Sequence, residues 1–243
     1  MSQPLIGKTV LVTRPAHQTA QLCTLIEAAG GQVVRFPVIE IIPLNKLALE
    51  ACHLSQFDSA IFISANAVHH ALPTLLNTLP HNLQVMAVGK QTAKALQAYE
   101  INALFPPAPF NSEMLLSMPE CQTVKNKKII IFRGQRGREL LADTLRQRGA
   151  TVSYLDVYQR AIPTSFTVPS TPIDAITITS IESAKNLFHM LTDNSWLNIP
   201  FVVLSQRIAD YLPSLGVQSH IAVAPFASDE GLIMALKDIA GKI

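Results

Sequence analysis

The sequence has few charged residues, few cysteines and no long apolar run, and each scarcity excludes a class of protein. Charged residues make up 15% of the 243 residues and hydrophobic residues 49%, which excludes a disordered chain and allows one or two cores. The three cysteines are odd in number and lack metal-site spacing, so they suit a reducing compartment. No run approaches a membrane span, and the first residues lack a signal-peptide core. We therefore expect a cytoplasmic protein with no membrane association.

The common signatures of nucleotide, hydrolase and metalloprotease sites are also missing. No GxGxxG follows a strand, no GxxxxGK[ST] is present, and neither GxSxG nor HExxH occurs. Only His69 and His70 are adjacent histidines, and neighbouring side chains on a helix diverge, which disfavours a metal site there. The net charge of +2 is too small to predict binding to nucleic acid.

The sequence does contain one strand–helix–strand pattern, and this pattern occurs twice. Residues 127–160 combine a β-branched apolar run, a charged turn with two glycines, an amphipathic helix and an alternating strand. Residues 9–39 repeat this order, with Arg14 matching Arg133 at an offset of 119 (133 − 14). The repeat predicts that the chain is built from duplicated α/β units.

Two further pairs of segments extend the duplication. Ser64 matches Ser180 (180 − 64 = 116), and Gly89 matches Ser205 at the same offset (205 − 89 = 116). Three modules in the same order, twice, predict parallel sheets with helices on both faces. The extended segments 36–43 and 155–163 both end in proline and read as connectors, so the chain is expected to leave its first lobe near residue 39 and return near 162. A single cut near residue 122 is the alternative.

The turns after the strands form the candidate site. Ligands of parallel sheets bind outside the carboxyl ends of the strands, where helix N-termini attract anions. The turns share small hydroxyl, amide or glycine residues, several cations and very few acids. They are Thr13-Arg14, Ser64-Ala65-Asn66, Gly89-Lys90-Gln91-Thr92, Arg133-Gly134, Thr179-Ser180-Ile181 and Ser205-Gln206-Arg207. Helix capping alone explains any one of them, whereas six together favour a polyanionic ligand.

A family resemblance rests on several of these segments together. They are VLVTRP (10–15), FISANAV (62–68), AVGxxTA (87–93), FRGQRGRELLADTLRQRGATV (132–152) and VYQR (157–160). In this order they cover nearly the whole chain, which resembles the uroporphyrinogen-III synthases. The resemblance implies two flavodoxin-like lobes joined by a two-stranded connector, one combining residues 1–38 and 163–243 and the other formed by residues 39–162.

The resemblance also implies a reaction. Linear hydroxymethylbilane, which bears eight carboxylates, loses water and closes to uroporphyrinogen III with its ring D inverted, through an azafulvene and a spiro pyrrolenine. No metal or organic cofactor is implied. Tyr158 stands at the family's VY position and is the candidate catalytic residue, although a tyrosine that only anchors the connector strand is an equal alternative. A monomer is implied, with transient contacts to the preceding and following pathway enzymes.

Two other classes of function stay open from the residues alone. A non-catalytic two-lobe protein that binds a polycarboxylate would have the same turns. A flavoprotein or a response regulator would need a flavin-binding loop or paired acids, and the first strand ends in Val12-Thr13-Arg14 without an acid. Where many synthases have a Gly-Pro-Thr-Thr turn, this chain has Leu204-Ser205-Gln206-Arg207.

Overall fold

The computed structural model describes residues 4–241, and their α-carbon contacts divide them into two compact units. The terminal unit takes its residues from both ends of the chain, up to Glu40 and from Ala161 onward, and the inserted unit is Ile41–Arg160. The predicted lobe boundaries differ from these by two residues at each crossing (40 − 38 and 162 − 160). That each unit is an independent domain stays a prediction.

Strands and helices alternate along most of residues 4–241. The strands are β1 (Thr9–Val12), β2 (Gln32–Arg35), β3 (Glu40–Pro43), β4 (Ser59–Phe62), β5 (Gln84–Ala87), β6 (Lys128–Gly134), β7 (Thr151–Ala161), β8 (Ala175–Ile178), β9 (Phe201–Val203) and β10 (Ile221–Val223). The α-helices are α1 (Ala20–Ala28), α2 (Lys46–Glu50), α3 (Ala65–Leu75), α4 (Lys90–Gln97), α5 (Ser112–Ser117), α6 (Pro119–Gln122), α7 (Leu140–Gln147), α8 (Ile181–Met190), α9 (Gln206–Tyr211) and α10 (Asp229–Ile239). None of these helices is long and apolar enough to cross a membrane.

The terminal unit is built on a five-stranded sheet in the order β2-β1-β8-β9-β10, and every neighbouring pair is parallel. Numbered along the unit, this order is 2-1-3-4-5, the flavodoxin-like order. The three central strands are buried along their whole length. Their apolar, β-branched sequences predict such burial because helices cover both faces of a parallel sheet.

The inserted unit has the strand order β3-β7-β6-β4-β5, and the segment at Leu104 forms a parallel bridge beside β5. Strands β7, β6, β4 and β5 and the Leu104 segment therefore repeat the order of β2, β1, β8, β9 and β10. The duplication inferred from the sequence is a duplication of sheet order. The predicted α/β fold class with parallel sheets is confirmed.

Local signals at the helix ends explain where several elements start and stop. Asn111 and Ser228 cap α5 and α10, each accepting a hydrogen bond from the backbone N–H three residues later. Gly30 and Gly149 end α1 and α7 in the left-handed region, at φ 88° and 91°. Helix α3 contains Pro73 in its last turn and still continues to Leu75. Proline removes only one helical hydrogen bond, and the buried apolar face of α3 holds the last turn in place.

Candidate active site

Each sheet has one point at which its chain connections leave in opposite directions, and such a point is the usual ligand site of an open parallel sheet. In the inserted unit it lies between β4 and β6, and in the terminal unit between β8 and β1. The turns after these four strands are four of the six predicted turns.

Tyr158 lies at the switch point of the inserted unit, and a β-bulge brings it there. The register of β7 against β6 pairs Arg133 with Asp156 and then Gly134 with Tyr158, so that one extra residue of β7 is accommodated. A bulge changes the face to which the following side chain points. Tyr158 is consequently only 4% exposed, and its hydroxyl lies 3.1 Å from the Ser64 hydroxyl.

Ser64 links this tyrosine to a helix N-terminus. Its hydroxyl oxygen accepts a hydrogen bond from the N–H of Ala67 at 3.1 Å and so caps α3. The first N–H groups of a helix lack partners within the helix and carry its positive dipole end. The ring of His70, farther along α3, has its centroid 6.0 Å from that of Tyr158. The phenol is thus held against an electropositive helix end.

Gly134 provides the space that the tyrosine ring occupies. A β-carbon built on Gly134 would lie 2.6 Å from Cζ and 2.9 Å from the hydroxyl oxygen of Tyr158, closer than atoms can approach. Any other residue at this position has to displace the ring. The glycine and the tyrosine therefore form one packing unit across β6 and β7.

The guanidinium of Arg133 is held by acids of its own unit. Its Nε donates to Asp156 at 2.8 Å, one terminal nitrogen donates to Glu139 at 2.7 Å, and the group stacks 3.5 Å above the Tyr154 ring. Hydrogen bonds from Arg133 and Tyr154 lower the pKa of the Glu139 carboxyl. Burial, followed by the hydrogen bond to Glu139, raises the pKa of Tyr154 to about 12. The charge of Arg133 is largely compensated within this cluster.

Arg14 has the same kind of partner in the terminal unit. Its guanidinium donates to the carboxylate of Asp229, in the first turn of α10, and the two side chains are 14% and 10% exposed. Beside it, the Thr13 hydroxyl donates to the carbonyl oxygen of Thr177 at 2.7 Å and so joins β1 to β8. Both duplicated arginines thus fix the turn that follows their strand.

The other predicted site residues lie at the same edges of the two sheets but differ in exposure. Ser180 caps α8 by accepting from the Ser183 N–H at 3.0 Å, whereas Ser205 makes no side-chain capping bond. Asn66 and Thr92 are buried. The exposed predicted residues are Lys90, Gln91, Gln206 and Arg207, and Gly89, Ala65, Thr179 and Ile181 are partly exposed. The structure therefore brings Tyr158, Ser64 and Gly134 together.

Comparison with known proteins gives the family. The family model described as uroporphyrinogen-III synthase HemD matches residues 20–234. The chain belongs to the uroporphyrinogen-III synthase family. It is 31% identical to the synthase of Escherichia coli K12, over 94% of this chain and 100% of that protein, and 30% identical to that of Salmonella typhimurium over the same shares. The crystal structure of the synthetase from Helicobacter pylori has the same fold, with a TM-score of 0.64 and 18% identity over 96% of this chain and 99% of that one.

Membership of the uroporphyrinogen-III synthase family confirms the predicted family, and with it an enzyme of tetrapyrrole biosynthesis rather than a non-catalytic binding protein. The sequence did not point to the acids that hold the two arginines, nor to His70 beside Tyr158. The sequence could have predicted the contact of Asp156 with Arg133, since pairing β6 with β7 as neighbouring strands places the two residues opposite one another. Nothing in the sequence predicts the contact of Asp229 with Arg14, because the two residues are 215 positions apart in the chain.

Proposed function

We propose that this chain converts hydroxymethylbilane to uroporphyrinogen III, with Tyr158 acting on the hydroxyl group that leaves. Family membership supports the reaction. The observation that supports the role of the tyrosine is its hydrogen-bond contact with Ser64, 3.1 Å long, at the switch point of the inserted unit. No other tyrosine in residues 4–241 has this position in either sheet.

The Ser64 oxygen accepts from a backbone N–H of α3, and either hydroxyl can donate in the 3.1 Å contact between Ser64 and Tyr158. In the proposed reactive arrangement Ser64 donates to the Tyr158 oxygen. The phenol proton is then directed away from Ser64 and toward a ligand. A phenolate left at this place would be stabilised by the Ser64 hydroxyl and by the helix dipole.

Water is the only molecule that the proposed reaction releases. Tyr158 gives its proton to the substrate hydroxyl, the carbon–oxygen bond breaks and water leaves, which forms the azafulvene in its protonated, cationic form. Ring D then attacks through its substituted carbon, and the spiro pyrrolenine rearranges to the inverted ring. The proton that the ring system releases on closure returns to the phenolate. Uncatalysed closure gives the uninverted isomer, so the enzyme has to be faster and has to orient ring D.

The carboxylates of the substrate are proposed to bind at the N-termini of the helices that follow the strands. Ser64, Gly89, Ser180 and Ser205 are the N-cap residues of α3, α4, α8 and α9. Backbone N–H groups at such ends bind anions without a free side-chain charge. Arg14 and Arg133 act on this view by holding their turns in shape.

The proposal also covers the setting of the enzyme. We expect a cytoplasmic monomer that needs no metal or organic cofactor and that makes transient contacts with the enzymes before and after it in the pathway. Analytical ultracentrifugation of the purified chain tests the monomer.

A coupled assay tests the reaction. Hydroxymethylbilane is generated in the reaction mixture, the protein is added, and the oxidised products are separated by isomer type. Type III product that increases with protein concentration is the expected result. Type I product alone, at the uncatalysed rate, would refute the proposal and favour a protein that only binds polycarboxylates.

A further inference from the structure

Two phenylalanines are exposed at equivalent places in the two units. Phe110 is 46% exposed and Phe226 is 50% exposed, although large apolar side chains are usually buried. Each is the last residue of an Ala-Pro-Phe sequence, and the two sequences are 116 residues apart (226 − 110), the offset of the duplicated serine and glycine turns. The pair is therefore part of the duplication.

Phe110 lies directly on one of the turns at the site edge. A β-carbon built on Gly89 would lie 2.8 Å from Cβ and 3.4 Å from Cγ of Phe110, so the side chain packs on the backbone at the N-cap of α4. The ring of Phe105, which is 41% exposed, has its centroid 6.4 Å away. One end of the Phe110 side chain is thus fixed while much of its ring surface stays accessible.

Phe226 is held in a similar way at the edge of the other sheet. Its carbonyl oxygen accepts from the Ser228 N–H at 2.9 Å and packs against Gly231, where any side chain would collide with it. Asp229, the first residue of α10, is the partner of Arg14 in the turn after β1. Phe226 therefore has a fixed backbone three residues before the acid that holds the turn after β1.

Helix capping does not explain the matched positions. Phe110 directly precedes its N-cap Asn111, the position of a hydrophobic staple, whereas Phe226 is two residues before its N-cap Ser228. The N-caps are 117 residues apart (228 − 111), whereas the phenylalanines are 116 apart. The phenylalanines keep their spacing to the turns that end the strands and not to the helices that follow them.

The substrate also has pyrrole rings, which the backbone N–H groups of the turns do not bind. N–H groups bind its carboxylates, but the faces of its four pyrrole rings are aromatic and apolar. We propose that Phe110, for the inserted unit, and Phe226, for the terminal unit, are each a contact for the face of a pyrrole ring of hydroxymethylbilane, so that ring position as well as carboxylate position is fixed. This inference rests on the proposed function.

The test compares each phenylalanine with an exposed apolar residue elsewhere in the same unit. Phe110→Ala and Phe226→Ala are each expected to lower kcat/KM for hydroxymethylbilane about three- to tenfold, chiefly through KM, as for the loss of one aromatic pair. Phe110→Trp keeps an aromatic ring at this position and should have a kcat/KM close to that of the wild type. The controls Leu76→Ala and Met234→Ala remove side chains that are 40% and 46% exposed and should leave kcat/KM unchanged.

The outcomes separate this inference from the reaction on which it depends. If the wild-type chain forms type III product and both alanine variants, folded by circular dichroism, keep the wild-type kcat/KM, the inference is overturned and the reaction stands. The same holds if the variants change only the sedimentation of the protein, which would assign the rings to a protein contact. If the wild-type chain forms no type III product, both are overturned.

Discussion

Replacing Gly134 by alanine tests whether the position of the Tyr158 ring matters to the reaction. The added β-carbon would lie 2.6 Å from Cζ, whereas ordinary contact begins at 3.4 Å, so the ring has to retreat by about 0.8 Å (3.4 − 2.6). A retreat directed away from Ser64 lengthens the present 3.1 Å contact to about 3.9 Å (3.1 + 0.8), beyond hydrogen-bond range.

Two effects of different size follow from this shift. Overpacking of this kind lowers the free energy of unfolding by about 1–3 kcal/mol, which leaves most domains folded. Displacement of a positioned catalytic group by about 1 Å costs roughly 100-fold in rate. We therefore expect Gly134→Ala to be folded at 25 °C and to form type III product about 100-fold more slowly than the wild type.

Gly137 offers a matched control in the same turn. A β-carbon there would lie 3.5 Å from Cδ of Arg133, an ordinary contact, so Gly137→Ala should keep the wild-type rate. The coupled isomer assay measures kcat for both variants, and urea denaturation measures their stability. A folded Gly134→Ala with wild-type kcat, or an equal loss in Gly137→Ala, would refute the role given to the ring position.

Four further variants test other contacts. Tyr158→Phe keeps the packing and loses the proton donor, so kcat should fall about 100-fold without reaching zero. Ser64→Ala removes the contact with Tyr158 and the cap of α3, so besides lowering kcat it should lower the free energy of unfolding by about 1 kcal/mol. Asp229→Ala leaves the charge of Arg14 unpaired and mostly buried, and urea denaturation should show a loss of about 3 kcal/mol. Because the pKa of Tyr154 is raised from 10.0 to about 12, its stabilising contribution is complete below pH 10 and is lost as the pH rises toward 12, so Tyr154→Phe should show a shallower fall in stability over that range.

Each of these predictions has a result that contradicts it. An unchanged kcat in Tyr158→Phe removes the phenol from the chemistry. The exposed pair between Lys46 and Glu50, 3.8 Å apart, is the control for Asp229, and Glu50→Ala should cost about 0.5 kcal/mol or less. Equal losses in the two variants would show that burial of the Arg14 pair contributes nothing. A wild-type slope in Tyr154→Phe between pH 10 and 12 would locate the alkaline instability elsewhere.

The sequence predicts the sheet edges well because the turns carry local signals. Duplicated serines and glycines follow short apolar runs, and the backbone needs those residues wherever a strand turns into a helix. The structure has Ser64 and Ser180 in the same capping geometry, each accepting from the N–H three residues later. Period and capping are properties of neighbouring residues, so a single chain reveals them.

Contacts across the sheet are less predictable, since they depend on register. The turn Arg133-Gly134 is one of the six that predict an anion site, yet Arg133 uses its charge on Asp156 and Glu139. The contact between Gly134 and Tyr158 depends on a bulge that changes which face one side chain points to. A bulge shifts the pairing by a single residue and leaves no periodic signal in the sequence.

The strand order of the terminal unit has a consequence for synthesis on the ribosome. Strand β1, near the start of the chain, pairs with β8, which begins at Ala175, so its central ladder cannot close until most of the chain has emerged. The inserted unit is continuous and complete at Arg160, and it can fold earlier. Until then the nascent chain carries an apolar strand with an unpaired edge, a template for aggregation. Removal of the last helix from the C-terminus would thus harm the unit that holds the N-terminus.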